Sequence, residues 1–99
     1  MIRLSRIRSL KVKNKVFLAP MDEVNDIAFR LLCKKAGAGL TFTGMINPQT
    51  KQKIELKDKP ALQLFGTSTK GIKEFIKKYN SKVSMWDFNL GCPAKNARK

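Results

Sequence analysis

Residues 61–90, ALQLFGTSTKGIKEFIKKYNSKVSMWDFNL, contain a complete strand–helix–strand pattern. Apolar runs occupy residues 61–65 and 85–90, and neither run alternates cleanly between apolar and polar side chains. Such runs are typical of strands in a parallel sheet that is covered on both faces. Between them, four apolar side chains recur at the helical spacing i, i+3, i+4 and i+7: Ile72, Phe75, Ile76 and Tyr79. The stretch therefore predicts two parallel strands joined by a helix that lies on their sheet.

Two further apolar runs, residues 16–21 and 40–45, precede this stretch, and the four runs begin 24, 21 and 24 residues apart. That spacing is close to one strand plus one crossover connection. Residues 26–36 predict a helix between the first two runs, whereas residues 46–59 predict a polar connection with a short turn of helix or extended pairing at 54–56. The order predicts an α/β fold of about four parallel strands with helices. A complete eight-stranded α/β barrel takes about 250 residues, so the four predicted strands form at most half of such a barrel.

Capping residues mark the ends of both predicted helices. Asn25 or Asp26 can cap the first helix, and Gly37 supplies the left-handed residue that ends it. Hydroxyls within residues 67–69 are expected to cap the second helix, and Asn80 to end it. We expect the first helix to bury one side, formed by Ala28, Phe29, Leu31 and Leu32, and to expose the other, formed by Arg30, Lys34 and Lys35. Near the amino terminus, residues 2–10 alternate Arg with apolar side chains, which predicts a short edge strand or plug.

The charge of the chain is strongly positive. Its 99 residues carry 21 Lys+Arg against 7 Asp+Glu, a formal net charge of +14. A positive field of this size attracts polyanions, and RNA is the obvious partner. A surface that is simply rich in lysine would give the same charge, and no Arg-Gly or aromatic-basic repeat marks a dedicated nucleic-acid arm. The charge therefore permits an RNA partner without identifying one.

Composition also limits the compartment and the class of site. The longest apolar runs are about six residues, against the roughly 20 that cross a bilayer. No secretory signal pattern is present, so we expect no membrane association. Two cysteines, Cys33 and Cys92, and no histidine are typical neither of a disulfide framework nor of a zinc site. We expect a cytoplasmic protein without a metal, in which Cys33 is a small buried hydrophobe.

The chemically unusual residues follow the predicted strands, where α/β folds bind their ligands. They are Ala19, Pro20 and Met21 after the first strand, Gln63 in the third, and Asn89 and Cys92 at the end of the fourth. The amides of Gln63 and Asn89 are expected at one mouth, where they suit a heteroaromatic ring with carbonyl and imide edges. Alternatively, Gln63 is a hydrogen-bonded core amide and the prolines only end strands. A thiol of ordinary pKa, about 8.5, is protonated near neutrality, so Cys92 can serve as a general acid.

Four ordered motifs resemble the tRNA-dihydrouridine synthases: FLAPM at 17–21, Asp26 through Arg30, LQLFG at 62–66 and DFNLGCPAK at 87–95. The resemblance implies the amino-terminal half of a TIM barrel, with residues 1–99 as part of an FMN-binding catalytic domain. It also implies reduction of the C5=C6 bond of uridine in tRNA, with NADPH or NADH as reductant. By this resemblance, Ala19, Pro20 and Met21 lie against the flavin ring, and Gln63 and Asn89 bind its polar edge. Cys92 then protonates C5 while hydride reaches C6.

The chain departs from the family pattern at two loops. Residues 22–25 are DEVN where the family usually has a small residue, Gly, Val and Thr, and Gly44 stands where it commonly has an acidic residue. Two other functions fit the same residues: a different FMN barrel of the dihydroorotate dehydrogenase type, and a small basic RNA-binding module without catalysis. Four strands leave two unpaired sheet edges, which invite self-association. We expect the 99-residue chain, as a fragment, to bind FMN weakly or not at all and to reduce no tRNA.

Overall fold

The chain folds around four parallel strands. The structure, a computed structural model, describes residues 6–7, 10–66 and 68–90. In chain order, its elements are β1 (Arg6–Ile7), β2 (Leu10–Lys11), β3 (Phe17–Leu18), α1 (Ile27–Lys35), β4 (Leu40–Ile46), β5 (Ala61–Leu64), α2 (Ile72–Tyr79), a 3-10 helix (Asn80–Lys82) and β6 (Met85–Phe88). β3, β4, β5 and β6 lie side by side in that order, and each neighbouring pair is parallel. The predicted α/β class is confirmed, and the arrangement is consistent with part of a TIM barrel.

The strands differ in length from the apolar runs that predicted them. β3 covers only two residues of the run 16–21, because Pro20 has no N–H to donate and the Ala19 carbonyl instead accepts from Asn25 Nδ2 at 2.8 Å. β4 extends one residue beyond its run, to Ile46. β6 ends at Phe88, yet the next backbone N–H, that of Asn89, still donates to the Leu64 carbonyl at 2.8 Å. Asn89 is therefore held to the sheet although it lies outside the strand.

One face of the sheet packs against α2. Leu62 and Leu64 of β5 are almost fully buried there, together with Ile46, Leu56 and Val83. The predicted helical stripe is confirmed, because Ile72, Phe75, Ile76 and Tyr79 all pack on this cluster. Trp86 packs there too, edge-on to Phe75 with ring centroids 6.2 Å apart. The predicted hydroxyl cap of α2 is wrong for Ser68 and Thr69: the N-cap residue is Gly71 at φ +80°, without a side-chain hydrogen bond, and Thr67 lies outside the described residues.

The opposite face is covered in part by the amino-terminal segment. β1 and β2 form an antiparallel pair, and the residues that follow it lie across the sheet. Val12 packs with Leu40 and Ala61, and four half-buried side chains surround them: Leu10, Phe17, Phe42 and Met85. Side chains alternate between the faces of a strand, so Gln63 shares this face with Ala61, and Asp87 shares it with Met85. Of the stretch 2–10, for which the sequence predicts an edge strand or plug, residues 2–5 and 8–9 lie outside the described residues. Leu10 packs with Val12 on the half of this face away from the carboxyl ends.

Helix α1 has the predicted caps, and Lys34 and Lys35 are exposed as predicted, but other residues of the helix are not oriented as the pattern indicates. Asp26 Oδ1 accepts from the Phe29 N–H at 2.9 Å, and Gly37 follows the helix at φ +113°. Contrary to the prediction, Arg30 is buried, only 4% exposed, whereas Leu31 and Leu32 are 50% and 62% exposed. The helix turns Ile27, Arg30 and Cys33 towards the protein, and Cys33 is half-buried instead of fully buried.

The reason for this orientation is a buried ion pair. Arg30 donates from Nε and Nη2 to the two carboxylate oxygens of Asp58, each at 2.8 Å, and the Asp58 side chain is fully buried. Arg30 also donates to the carbonyls of Asn25 and Glu55. Residues 47–60 contain neither helix nor strand, so the short element predicted at 54–56 is absent. Arg30 is what ties this irregular connection to α1. Neither helix of the described part of the chain is long and apolar enough to traverse a bilayer.

Candidate active site

Three polar side chains meet at the carboxyl ends of β5 and β6. Gln63 Nε2 donates to Asp87 Oδ2 at 2.8 Å, and Asn89 Nδ2 donates to Gln63 Oε1 at 3.3 Å. Gln63 is only 8% exposed, whereas Asp87 and Asn89 are half-buried. The two amides that the sequence predicts at one mouth are therefore in contact.

Strand register produces this contact. Gln63 of β5 and Asp87 of β6 are direct partners in the parallel ladder, and Asn89 lies two residues beyond Asp87 on the same face. The carboxylate of Asp87 can only accept hydrogen bonds, so it selects the amino end of the Gln63 amide. Gln63 Oε1 is thereby turned towards Asn89. Asp87 thus fixes the orientation of the pair of amides.

The sequence prediction did not include Asp87 as a site residue. The sequence marks Asp87 as an acidic residue inside an apolar strand. It lies two residues before Asn89 and therefore on the same face of the strand. Gln63 is a hydrogen-bonded buried amide, and it also lies beside Asn89, so its role towards a ligand stays a prediction. An amide carries two N–H hydrogens and two lone pairs, so the bonds within the cluster leave Gln63 capacity for a ligand.

Residues 19–21 lie at the same end of the sheet, because all four strands are parallel and these residues follow β3 directly. Ala19 is exposed, Pro20 is half-buried and Met21 is 40% exposed. Two strand spacings, roughly 10 Å, separate the β3 and β5 positions. The structure therefore places this exposed strand end and the amide cluster on one rim.

Strand β4, which lies between β3 and β5, carries a bulge where the end of β3 comes close to it. The register shifts between Phe42 and Met45, and Met45 pairs with Gln63. In the bulge, Thr43 Oγ1 accepts from the Gln63 backbone N–H at 3.0 Å. A Cβ atom at Gly44 would lie 3.0 Å from the Met21 carbonyl oxygen, too tight for an ordinary contact. Glycine at position 44 is thus what lets the end of β3 approach β4.

Cys92, the predicted proton donor, lies outside the described residues. The described strand end nearest to it in sequence is that of β6, where Asn89 contacts Gln63. No group of three or more His, Cys, Asp or Glu within residues 6–7, 10–66 and 68–90 is arranged to hold a metal ion. What the described part of the site offers is amide hydrogen bonding beside an open, partly apolar rim, which suits a flat polar-edged ring.

Comparison with known proteins gives the same family. The family model described as "Dihydrouridine synthase (Dus)" matches residues 17–99. A protein named tRNA-dihydrouridine synthase B from Pasteurella multocida (strain Pm70) is 35% identical over 108 residues, covering 95% of this chain and 32% of that protein. Its namesake from Escherichia coli (strain K12) is 32% identical over 106 residues, covering 95% of this chain and 33% of that protein. The chain thus spans about a third of the length of these relatives. No solved structure matches it.

Proposed function

We propose, since this chain belongs to the dihydrouridine synthase family, that it forms the amino-terminal portion of a catalytic domain that reduces uridine in tRNA to dihydrouridine. The observation that carries the proposal is the chain of hydrogen bonds from Asp87 through Gln63 to Asn89 at the carboxyl ends of adjacent parallel strands. This is where α/β proteins bind ligands, and amides are the groups that recognise a ring with carbonyl and imide edges.

The residues at this rim fit FMN as the cofactor. Gln63 and Asn89 supply amide groups for the polar edge of the flavin ring, and Ala19, Pro20 and Met21 supply an open surface for its flat face. When bound, FMN supplies the hydride that reaches C6 of the uracil, at the expense of NADPH or NADH. The polypeptide holds and orients the ring, and Asp87 keeps both amides in one orientation.

Cys92 completes the proposed chemistry as the general acid. Reduction of the C5=C6 bond needs a proton at C5 as well as a hydride at C6, and a neutral thiol can donate one. The uridine has to leave the stacked structure of the tRNA to reach such a site, at a cost of a few kcal/mol. Contacts between the basic protein and the tRNA backbone can offset that cost.

The charge of the chain supports tRNA as the partner. A net charge of +14 favours binding to a phosphate backbone, with an affinity that falls as salt is raised. We place the protein in the cytoplasm, with its tRNA substrate. Among the described strands, β3 and β6 each have one sheet neighbour, so these edges are where we expect self-association.

Deletion of the gene tests the function directly. We expect dihydrouridine to disappear from at least one tRNA position, as measured by mass spectrometry of purified tRNAs, and to return with a plasmid copy but not with a Cys92→Ala copy. Unchanged dihydrouridine at every position would refute the proposal. In that case, altered pyrimidine synthesis would favour a dehydrogenase of the dihydroorotate type.

A further inference from the structure

Two adjoining grooves, called here the lysine grooves, lie between α2 and the connection that precedes β5. One is formed by residues 48–54 and α2, the other by residues 54–59 and the 3-10 helix, and each encloses about 460 Å³. Ile54 and Tyr79 line both grooves, so the grooves meet at these two side chains. Helix α2 runs from the carboxyl end of β5 back towards the amino end of β6. The grooves beside its last turn therefore lie away from the amide cluster.

Exposed lysines dominate the lining of both grooves. There are three in each groove: Lys51, Lys53 and Lys78 in the first, and Lys57, Lys59 and Lys82 in the second. All six are exposed to solvent. Glu55, which is half-buried, is the one carboxylate in either lining. Within the described residues the only ion pair joins Arg30 to Asp58, so no carboxylate there neutralises a groove lysine. The grooves thus concentrate accessible positive charge.

Acidic side chains gather at the other end of the sheet. Asp22, Glu23 and Asp26 are exposed in the loop that follows β3, and Asp87 belongs to the amide cluster. Four of the seven acidic residues of the chain therefore lie at the carboxyl ends of the strands. Carboxylates repel phosphates, so this rim suits a neutral base better than a nucleic-acid backbone. The backbone of a bound tRNA is expected to find its attraction elsewhere on the protein.

Tyr79 stands where the two grooves meet, and its ring is held in place by its neighbours. The ring centroid lies 4.7 Å from that of Phe75, and Lys78 Nζ lies 5.3 Å from the Tyr79 centroid. Ser81 adds an exposed hydroxyl to the second groove. Ammonium groups and hydroxyls are the side-chain donors that contact the phosphates of nucleic acids. The large apolar side chains of the lining, Ile54 and Phe75, are half-buried, so the surface has no exposed apolar anchor for a lipid bilayer.

We propose that the lysine grooves bind the sugar–phosphate backbone of the tRNA at a distance from the rim that receives the uridine; this rests on the proposed function. The ammonium groups replace counterions along the backbone, and the release of those ions drives binding. Contacts to phosphates fix the position of a nucleic acid without reading its bases. The grooves therefore supply affinity and orientation, whereas the choice of uridine is made at the rim.

Two triple variants of equal net charge separate the grooves from the general charge of the chain. Fluorescence anisotropy of a labelled tRNA transcript, titrated with the 99-residue chain over a range of KCl concentrations, gives the Kd and its salt dependence. The groove variant, Lys53→Gln/Lys78→Gln/Lys82→Gln, should raise the Kd about tenfold or more. It should also lower the slope of log Kd against log salt by about 2–3, because each lost phosphate contact removes about 0.7–0.9. The control variant changes three exposed lysines outside the grooves, Lys13→Gln/Lys35→Gln/Lys73→Gln, and should raise the Kd less than about threefold. Arginine at the three groove positions should keep the wild-type affinity.

Equal losses of tRNA affinity in the groove and control variants would overturn the proposal, because the tRNA would then respond only to total charge. Absence of salt-dependent tRNA binding by the wild-type chain would overturn it too. A groove variant that keeps its tRNA affinity but no longer binds phosphatidylglycerol vesicles would identify a lipid-binding surface instead. The titration needs no catalysis, so its failure would leave the deletion experiment unaffected. Conversely, unchanged dihydrouridine in the deletion strain together with groove-dependent tRNA binding would refute the proposed reaction alone.

Discussion

Replacing Arg30 with Met should lower the free energy of unfolding of the chain by about 3–5 kcal/mol. The side chains of Arg30 and Asp58 are 4% and 0% exposed, and two 2.8 Å hydrogen bonds join them. Without Arg30, the Asp58 carboxylate stays buried without its counter-charge, and the carbonyls of Asn25 and Glu55 lose their donor. Met fills most of the space of the aliphatic part of the Arg30 side chain. The loss of stability therefore comes from these unpaired polar groups and not from a cavity. Domains are stable by only about 5–15 kcal/mol, so the effect is large.

Urea denaturation followed by the fluorescence of Trp86, the single tryptophan of the chain, measures this loss. The double variant Arg30→Met/Asp58→Leu should recover most of it, because removing both charges leaves no unpaired ion. Lys34→Met is the control: Lys34 reaches only the Asp58 carbonyl, at 3.4 Å, and its removal should cost less than about 1 kcal/mol. A loss below about 1 kcal/mol for Arg30→Met, or a double variant as unstable as the sum of its singles, would show that the buried ion pair does not stabilise the fold in this way.

Three further predictions concern the loop, the cluster and the cofactor. Glu23 has a left-handed backbone at φ +63°, which is strained for a residue with a side chain. Glu23→Gly should therefore raise the free energy of unfolding by about 1 kcal/mol in the same urea assay, whereas Glu23→Ala should not. Equal effects of the two substitutions would show that the backbone at this position is not strained. Asp87→Asn should raise the Kd for FMN of the protein that the gene encodes about tenfold, or ~1.4 kcal/mol, because an asparagine no longer fixes the Gln63 amide. Calorimetry measures it with Glu74→Gln as control, and an unchanged Kd would contradict the positioning role. The 99-residue chain itself should bind FMN weakly or not at all in a fluorescence titration, because TIM barrels commonly hold the phosphate of a ligand with the loops after strands 7 and 8. Tight stoichiometric binding of FMN by a monomer of this chain would refute this prediction.

Sequence reasoning located the strands because their signal is local. Leu62 and Leu64 lie within one apolar run and pack against an amphipathic helix that follows them, so composition and spacing suffice. The rim was predictable for the same reason: parallel strands place their carboxyl ends together, which brings Gln63 and Asn89 into contact. The residues at which the strands end could not be predicted, because they depend on long-range hydrogen bonds such as that from Asn25 to the Ala19 carbonyl.

The orientation of α1 could not be predicted, because its cause lies 28 residues away in sequence. Arg30 counts as polar in any helical pattern, and only the position of Asp58 in the irregular connection makes it a buried residue. Leu31 and Leu32 are exposed as a consequence. The same reasoning applies to Asn25, which was weighed as a helix cap and instead links the loop after β3 to β4. Long-range polar contacts are what local patterns do not show.

The proposed reaction is the reduction of uridine in tRNA with Cys92 as the proton donor. The most direct test incubates the protein that the gene encodes with FMN, NADPH and tRNA that lacks dihydrouridine, and counts dihydrouridine by mass spectrometry. We predict that the wild-type protein forms dihydrouridine and that Cys92→Ala, loaded with the same flavin, forms almost none. Absence of dihydrouridine with the flavin-loaded wild-type protein would refute the proposed reaction, and equal yields from both proteins would refute the role of Cys92.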